Sequence, residues 1–271
     1  MSLAMGLCNK VKSGYYIVLS EKKKKLFTEE KSDTYQYMDE IFCSNRKAFD
    51  AVVRNNPCKT DEYWSLQKSY SVKKYFPQTF AAARKLIFDN FLTLYQDRRP
   101  VLMDIGCASG EWTMMVAPKC SRIDGFEFSQ NMVNTASVEA QKLGAGNAHF
   151  YRTDAATMHL DGKYDGAMIL AVLMYFDDID VIYQILKRIY DHLEPGAYLC
   201  TRDTLNNENK DLILMYNRSS GYSAFYWNKK LYYEQFEKVG FVMKKEMLLD
   251  EVTSRRMNFI HVGNIWQKPE N

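Results

Sequence analysis

From Arg99 onward, short apolar runs alternate with amphipathic stretches. This is how a mostly parallel sheet covered by helices reads in sequence. The pattern predicts strands over 100–105, 122–128, 148–153, 164–172 and 197–202, then an antiparallel pair over 241–248 and 256–266 joined by the polar stretch 249–254. Residues 111–117 predict a short helix after the first strand. Ser129 is placed to cap a helix carrying Met132, Val133, Ala136, Ala140 and Leu143 that ends at Gly144. Asp177 and Asp178 open another through Ile179, Ile182, Leu186 and Ile189, which Glu194-Pro-Gly196 stops. A last helix over 228–239 closes at Gly240.

The first 97 residues read differently. Helical spacing over 34–53 and 78–94, with Pro77 at a helix start, predicts a helical extension, and 81–92 a helix packing on the sheet. Residues 14–19 read as a short strand or a core-docking arm. The expected architecture is therefore α/β: a seven-stranded sheet over 98–271, and an N-terminal helical extension over 1–97.

Composition narrows the classes. The chain has 271 residues, 46% hydrophobic and 14% aromatic, which excludes extensive disorder. Its longest apolar run, 167–176, is too short to cross a bilayer, and residues 1–13 lack the order of a secretory signal, so a cytoplasmic protein is expected. The net charge of +3 disfavours a nucleic-acid partner, but it is uneven, +5 over residues 1–97 and −2 over 98–271. Lys22, Lys23, Lys24 and Lys25 supply much of the excess and read as a solvated face. Six cysteines without a C-x-x-C pair, and four histidines without i, i+4 pairing, predict free thiols and no metal site.

The chemistry concentrates at strand ends. In Val101-Leu-Met-Asp-Ile-Gly-Cys-Ala-Ser-Gly-Glu-Trp-Thr113, Asp104 ends a buried strand and Gly106 and Gly110 let the backbone approach a ligand at a helix N-terminus. The spacing is neither the dinucleotide G-x-G-x-x-G nor a triphosphate loop. Glu127 ends the second strand, where a carboxylate can accept from a ribose diol, and Asp154 ends the third, where it can accept from an exocyclic amine. Three strand ends facing one crevice describe a nucleoside site without phosphates.

Asp104-Ile-Gly-Cys-Ala-Ser-Gly110, Gly125-Phe-Glu-Phe-Ser129, Thr153-Asp-Ala155 and Tyr164-Asp-Gly-Ala-Met-Ile-Leu170 resemble, in order and spacing, the successive motifs of class I S-adenosylmethionine-dependent methyltransferases. The resemblance covers about residues 98–268, including the terminal antiparallel pair this family adds to a Rossmann-like sheet. It departs at Ala108, where the family usually has glycine. The resemblance implies that Asp104 and the backbone of Gly106, Cys107, Ala108 and Gly110 face the methionine part of the cofactor, and that Glu127 binds the ribose. Phe128 and Met132 would flank the adenine, Asp154 and Ala155 would bind its edge, and Leu170 and Ala171 would present carbonyls to the methionine amine. S-adenosylmethionine is then the cofactor and S-adenosylhomocysteine the product.

The segment after the fourth strand carries the signal for the acceptor. Leu170-Ala-Val-Leu-Met-Tyr-Phe-Asp177 lacks the Asn/Asp-Pro-Pro-Tyr of enzymes that methylate nucleic-acid amines, and is closer to the subgroup acting on small molecules, sugars and lipid head groups. Tyr175 and Asp203 are catalytic candidates. Tyr70, Tyr175 and Tyr222, the first and last in aromatic clusters over 61–70 and 218–227, are candidates for contact with a small-molecule or glycan acceptor, since aromatic rings suit a sulfonium and a sugar face alike. The leading expectation is transfer to a sugar or natural-product hydroxyl. Protein or peptide amine methylation, and a non-catalytic cofactor-binding subunit whose first 97 residues bind a partner, are the alternatives.

Overall fold

The computed structural model describes residues 15–17, 40–250 and 259–270. Its centre is a seven-stranded sheet. Val101–Ile105 (β3), Arg122–Glu127 (β4), Ala148–Arg152 (β5), Tyr164–Leu170 (β6) and Leu193–Asn206 (β7) run parallel; Val242–Asp250 (β10) and Phe259–Gln267 (β11) complete it. The spatial order is β10-β11-β7-β6-β3-β4-β5, with β11 antiparallel to both its neighbours. The chain reverses direction of travel between β3 and β6, so the crevice for a ligand opens at their carboxyl ends.

Helices cover both faces: Glu111–Val116 (α5), Gln130–Lys142 (α6), Ile179–His192 (α7) and Lys229–Val239 (α8). Their ends match the expected chemistry. Ser129 accepts from the Met132 amide, Asp178 caps α7 through the Asp180 amide, Asn228 caps α8, and Gly240 ends α8 at φ +113°. On α7, Ile182, Ile185, Leu186 and Ile189 are fully buried against Ile169 and Leu199 of the sheet, each contributing about 1.5–3 kcal/mol.

The extension is helical over Arg46–Val53 (α1), Thr60–Leu66 (α2), Val72–Tyr75 (α3) and Pro77–Leu86 (α4), after which the chain tightens through a wide turn at Ile87–Phe91 and a 3-10 turn at Leu92–Tyr95. It is not helical throughout. Within the segment 34–53 expected as helix, Glu40–Cys43 is a strand (β2), and Tyr15–Ile17 (β1) pairs with it, the strand alternative for 14–19. The physical reason is pairing outside the segment. Strand β2 lies beside Leu212–Asn217 (β8), which forms a hairpin with Ser223–Trp227 (β9), giving a second sheet in the order β1-β2-β8-β9.

In that sheet Ile41 and Cys43 pack with Phe49, Leu214 and Tyr216, while Phe42 packs on the other face with Ile213, Met215, Tyr226 and Phe259. A strand buried on both faces loses the polar alternation that would have marked it, and tertiary pairing overrides the helical spacing. The aromatic segment 218–227 is accordingly the turn and second strand of a hairpin. Strand β7 runs four residues past the expected end at 202, because its outer part pairs with β11 as far as Asn206↔Phe259.

The four-lysine run, Cys8 and the segments 1–13 and 34–39 lie outside the described residues. Cys43, Cys107, Cys120 and Cys200 are buried free thiols, and Cys58 is an exposed one. Among the described residues no helix is long and apolar enough to cross a membrane, and no group of side chains has the makeup of a metal site.

Candidate active site

The site is built at the carboxyl ends of β3, β4 and β6. After β3 the chain turns sharply, with Gly106 at φ +72° and Gly110 at φ +79°, and the Gly106 and Cys107 amides donate to the Phe126 carbonyl of β4 at 2.7 and 3.1 Å. Glycine is required at 106 twice over: a Cβ there would lie 2.2 Å from Val172 Cγ2, just past β6. Ala108 also adopts a left-handed conformation, φ +48°, one that glycine takes without a Cβ penalty. A second strained alanine, Ala171 at φ +60°, comes directly after β6, its amide donating to the Arg202 carbonyl at 2.6 Å. Strain of about 1–3 kcal/mol per such residue tends to gather where a backbone must meet a ligand.

Two buried carboxyl groups serve this turn. Asp104, 2% exposed at the end of β3, accepts from Thr113 Oγ1 at 2.6 Å. Burial, partly offset by that bond, pushes its pKa up to about 7. Glu127, 8% exposed, accepts from the Ala108 amide at 3.0 Å and from the Ser129 amide at 2.8 Å, so one carboxylate ties the β3 turn to the start of α6. Burial raises its pKa, and the backbone donors oppose the rise.

A cover lies over this edge. Ser109 Oγ donates to the Tyr70 carbonyl at 3.0 Å and accepts from the Tyr70 amide at 3.1 Å. Glu111 accepts from Ser71 Oγ at 2.7 Å and from the Val72 amide at 2.8 Å. Asn131 Nδ2 and Thr135 Oγ1 donate to the carbonyls of Ser65 and Lys68, fastening the end of α2 to α6. Above the turn, Trp64 meets Tyr70, Tyr175 and Tyr222 edge-on at centroid distances of 5.2, 5.6 and 6.2 Å, and the Tyr175 and Tyr222 hydroxyls are 3.1 Å apart. Burial pushes the Tyr70 phenol up to about 12 and raises Tyr175 further, so both rings are hydrogen-bond donors rather than bases at neutral pH. On the outer side of α2, a cavity of about 450 Å³ is flanked by Lys59, Tyr63, Gln67 and Arg218.

The structure brings most of the expected residues together and sets the others apart. Asp104, Gly106, Cys107, Ala108, Gly110, Glu127, Leu170 and Ala171 surround one turn, and Tyr70, Tyr175 and Tyr222 share one aromatic cluster. Phe128 stands exposed at the rim, while Met132 is turned into the interior at 1% exposure. Asp154 is exposed and caps a turn through the Ala156 amide at 2.8 Å, with Ala155 half-buried beside it. Asp203, 2% exposed, leaves β7 on the opposite face toward Tyr232 of α8, and burial pushes its pKa up to about 7.

Sequence reasoning missed Trp64, Arg202 and His261. Strand alternation carries the signal for Arg202, since Asp203 on one face of β7 puts Arg202 on the other. His261, with Nδ1 3.0 Å from Thr204 Oγ1, lies on Arg202's face, one pleat further on.

Residues 102–196 match the methyltransferase domain family. Among solved structures, a S-adenosylmethionine-dependent methyltransferase from Methanosarcina mazei is similar, with 20% identity, 67% of this chain and 98% of that chain covered, and a TM-score of 0.57. The N-methyltransferase NodS from Bradyrhizobium japonicum WM9 aligns at 15% identity over 72% of this chain and 98% of its own, TM-score 0.55. The [4+2]-cyclase SpnF aligns at 15% over 82% and 92%, TM-score 0.55, so the fold by itself also carries other chemistry. No curated protein matches. The family match assigns residues 102–196 to a methyltransferase domain, built on a Rossmann-like sheet, for which S-adenosylmethionine is the cofactor. The positive-φ turn and the buried Glu127 carboxylate, with lone pairs left over, fit a nucleoside carrying an amino-acid arm.

Proposed function

We propose that the protein transfers the methyl group of S-adenosylmethionine to a hydroxyl of a small or medium-sized acceptor, a sugar or a related natural product. The observation that carries this reading is the aromatic cluster of Trp64, Tyr70, Tyr175 and Tyr222 over the glycine turn. Rings of this kind stack on sugar faces, exclude water and favour a sulfonium by cation–π attraction.

Glu127 takes the ribose hydroxyls, and Asp104 with the 106–110 backbone faces the amino-acid arm. Phe128 and Asp154 border the adenine from the rim, with the Ala155 amide beside them, while Leu170 and Ala171 offer carbonyls to the cofactor amine. Within the extension expected over residues 1–97, the stretch 60–75 acts as the lid of this site. When bound, the cofactor supplies an electrophilic methyl on a sulfonium. The protein's part is to hold the acceptor in line with it and keep the edge dry, which can supply much of the rate. The phenols of Tyr175 and Tyr222 orient the acceptor oxygen as donors.

The test is labelled S-adenosylmethionine incubated with a fractionated cell extract, and mass spectrometry of the product. Label on a sugar or small-molecule oxygen supports the reading. Label on a protein amine would replace it with peptide methylation, and tight cofactor binding with no label in any fraction would point to a binding subunit.

A further inference from the structure

One cation at the reaction site takes no part in ribose binding, methyl transfer or proton removal. Arg202 stands level with Leu170 across the β6–β7 register, at the edge where the aromatic cluster sits. Thr201 and Asp203 turn to the α8 side of the sheet, so Arg202 leaves on the α4 side, toward the rings. The residue is half-buried, its Nε is shielded from solvent without a hydrogen-bond partner, and among the described residues no carboxylate forms an ion pair with it. Arg46, Arg98 and Arg122, more exposed, each have one: Asp177, Asp165 and Asp124. Its charge acts on the phenols of Tyr70 and Tyr175 and, from the other face of the strand, on the buried Asp203 carboxyl, with which it forms no ion pair.

A guanidinium drawn partly out of water without an ion-pair partner is unfavourable, and an aliphatic side chain would fill the same space at lower cost. Packing therefore gives no reason for arginine here, whereas a ligand's negative group does. We infer that Arg202 is the anion receptor of the reaction site, holding a carboxylate or phosphoryl group in the fork of its guanidinium beneath the Trp64–Tyr70–Tyr175 rings. The inference rests on the methyltransferase reading and sharpens it. The anion belongs to an acidic acceptor, such as a uronic or phosphorylated sugar, or to the carboxylate of the cofactor's amino-acid arm.

Arg202→Met separates these sources. Binding of S-adenosylhomocysteine and of 5′-methylthioadenosine, which lacks the amino-acid arm, is measured by calorimetry on the full chain. Labelled transfer is traced into extract divided by anion exchange. With an acidic acceptor, both nucleosides bind the variant as they bind wild type, and label in the retained fraction falls by about tenfold to a hundredfold. With the cofactor arm, the variant loses about that factor for S-adenosylhomocysteine and nothing for 5′-methylthioadenosine. Either result supports the receptor, and Arg202→Lys should restore part of the loss. Unchanged binding together with unchanged labelling, or label confined to unretained neutral material with binding unchanged, overturns it. Arg202→Gln gives the same readings where the methionine variant does not fold. A wild type that binds no S-adenosylhomocysteine removes the underlying reading instead, and the wild-type titration alone reveals it.

Discussion

Replacing Glu127 by alanine isolates the contribution of one carboxylate to cofactor binding. An ionised carboxylate offers about four lone-pair positions. Backbone amides take part of that capacity, Ala108 at 3.0 Å and Ser129 at 2.8 Å with Phe128 also acting on the carboxylate, and the remainder is what a ribose diol can use. Charge-assisted bonds of this type contribute about 1.5–3 kcal/mol net, so Glu127→Ala should weaken S-adenosylhomocysteine binding by about tenfold to 150-fold. The same change releases the two amides that tie the glycine turn to α6, so the variant's melting temperature must be read beside its affinity. Glu127→Gln keeps one acceptor oxygen but presents an N–H to one of those amides, and should fall between alanine and wild type. Calorimetric titration of folded variants is the assay. A folded Glu127→Ala protein with wild-type affinity would remove Glu127 from the site and refute the assignment of the ribose to this strand end.

The same geometry has further consequences. Gly106→Ala combines a left-handed φ, about 1–2 kcal/mol for an L-residue, with a Cβ placed 2.2 Å from Val172 Cγ2. Overpacking adds about 1–3 kcal/mol, so thermal melting should occur roughly 5–15 °C lower, and an unchanged melting temperature would show that the turn differs from the one described. Asp203 has its pKa raised by burial from 3.8 to about 7, so the unfolded chain releases this proton first and folding stability falls as pH rises between those values. Asp203→Asn should flatten the decline in denaturant stability over that window, leaving the share due to Asp104, and an unaltered slope would contradict the burial argument. Trp64→Leu should leave S-adenosylhomocysteine affinity within about threefold of wild type while raising the acceptor KM by about tenfold, the scale of one lost aromatic contact. Equal losses in both would place Trp64 on the cofactor.

The contrast between what the sequence disclosed and what it concealed tracks the range of the interactions. The central strands β3, β6 and β7 were legible because each carries a local apolar run, and the Asp104–Gly110 turn because glycine and acid at a strand end have a local meaning. Strand β2 was hidden, since Glu40-Ile-Phe-Cys43 becomes a strand by pairing with β1 and with β8, the latter about 170 residues away. Asp203 was assigned to the site from its position at a strand end. The continuation of β7 to Asn206 puts it mid-strand, where alternation sends it under α8 and gives the site Arg202. The aromatic cluster joins Trp64 and Tyr70 to Tyr175 and Tyr222 across three separate segments, and no spacing in the chain records that meeting.

The central claim is that the carboxyl ends of β3 and β4 form a nucleoside site for S-adenosylmethionine and not for a dinucleotide. Titrating the full-length chain calorimetrically with S-adenosylhomocysteine and, separately, with NAD tests it most directly. The account predicts saturable one-to-one binding of S-adenosylhomocysteine and no heat of binding with NAD. Binding of NAD with no response to S-adenosylhomocysteine would contradict it.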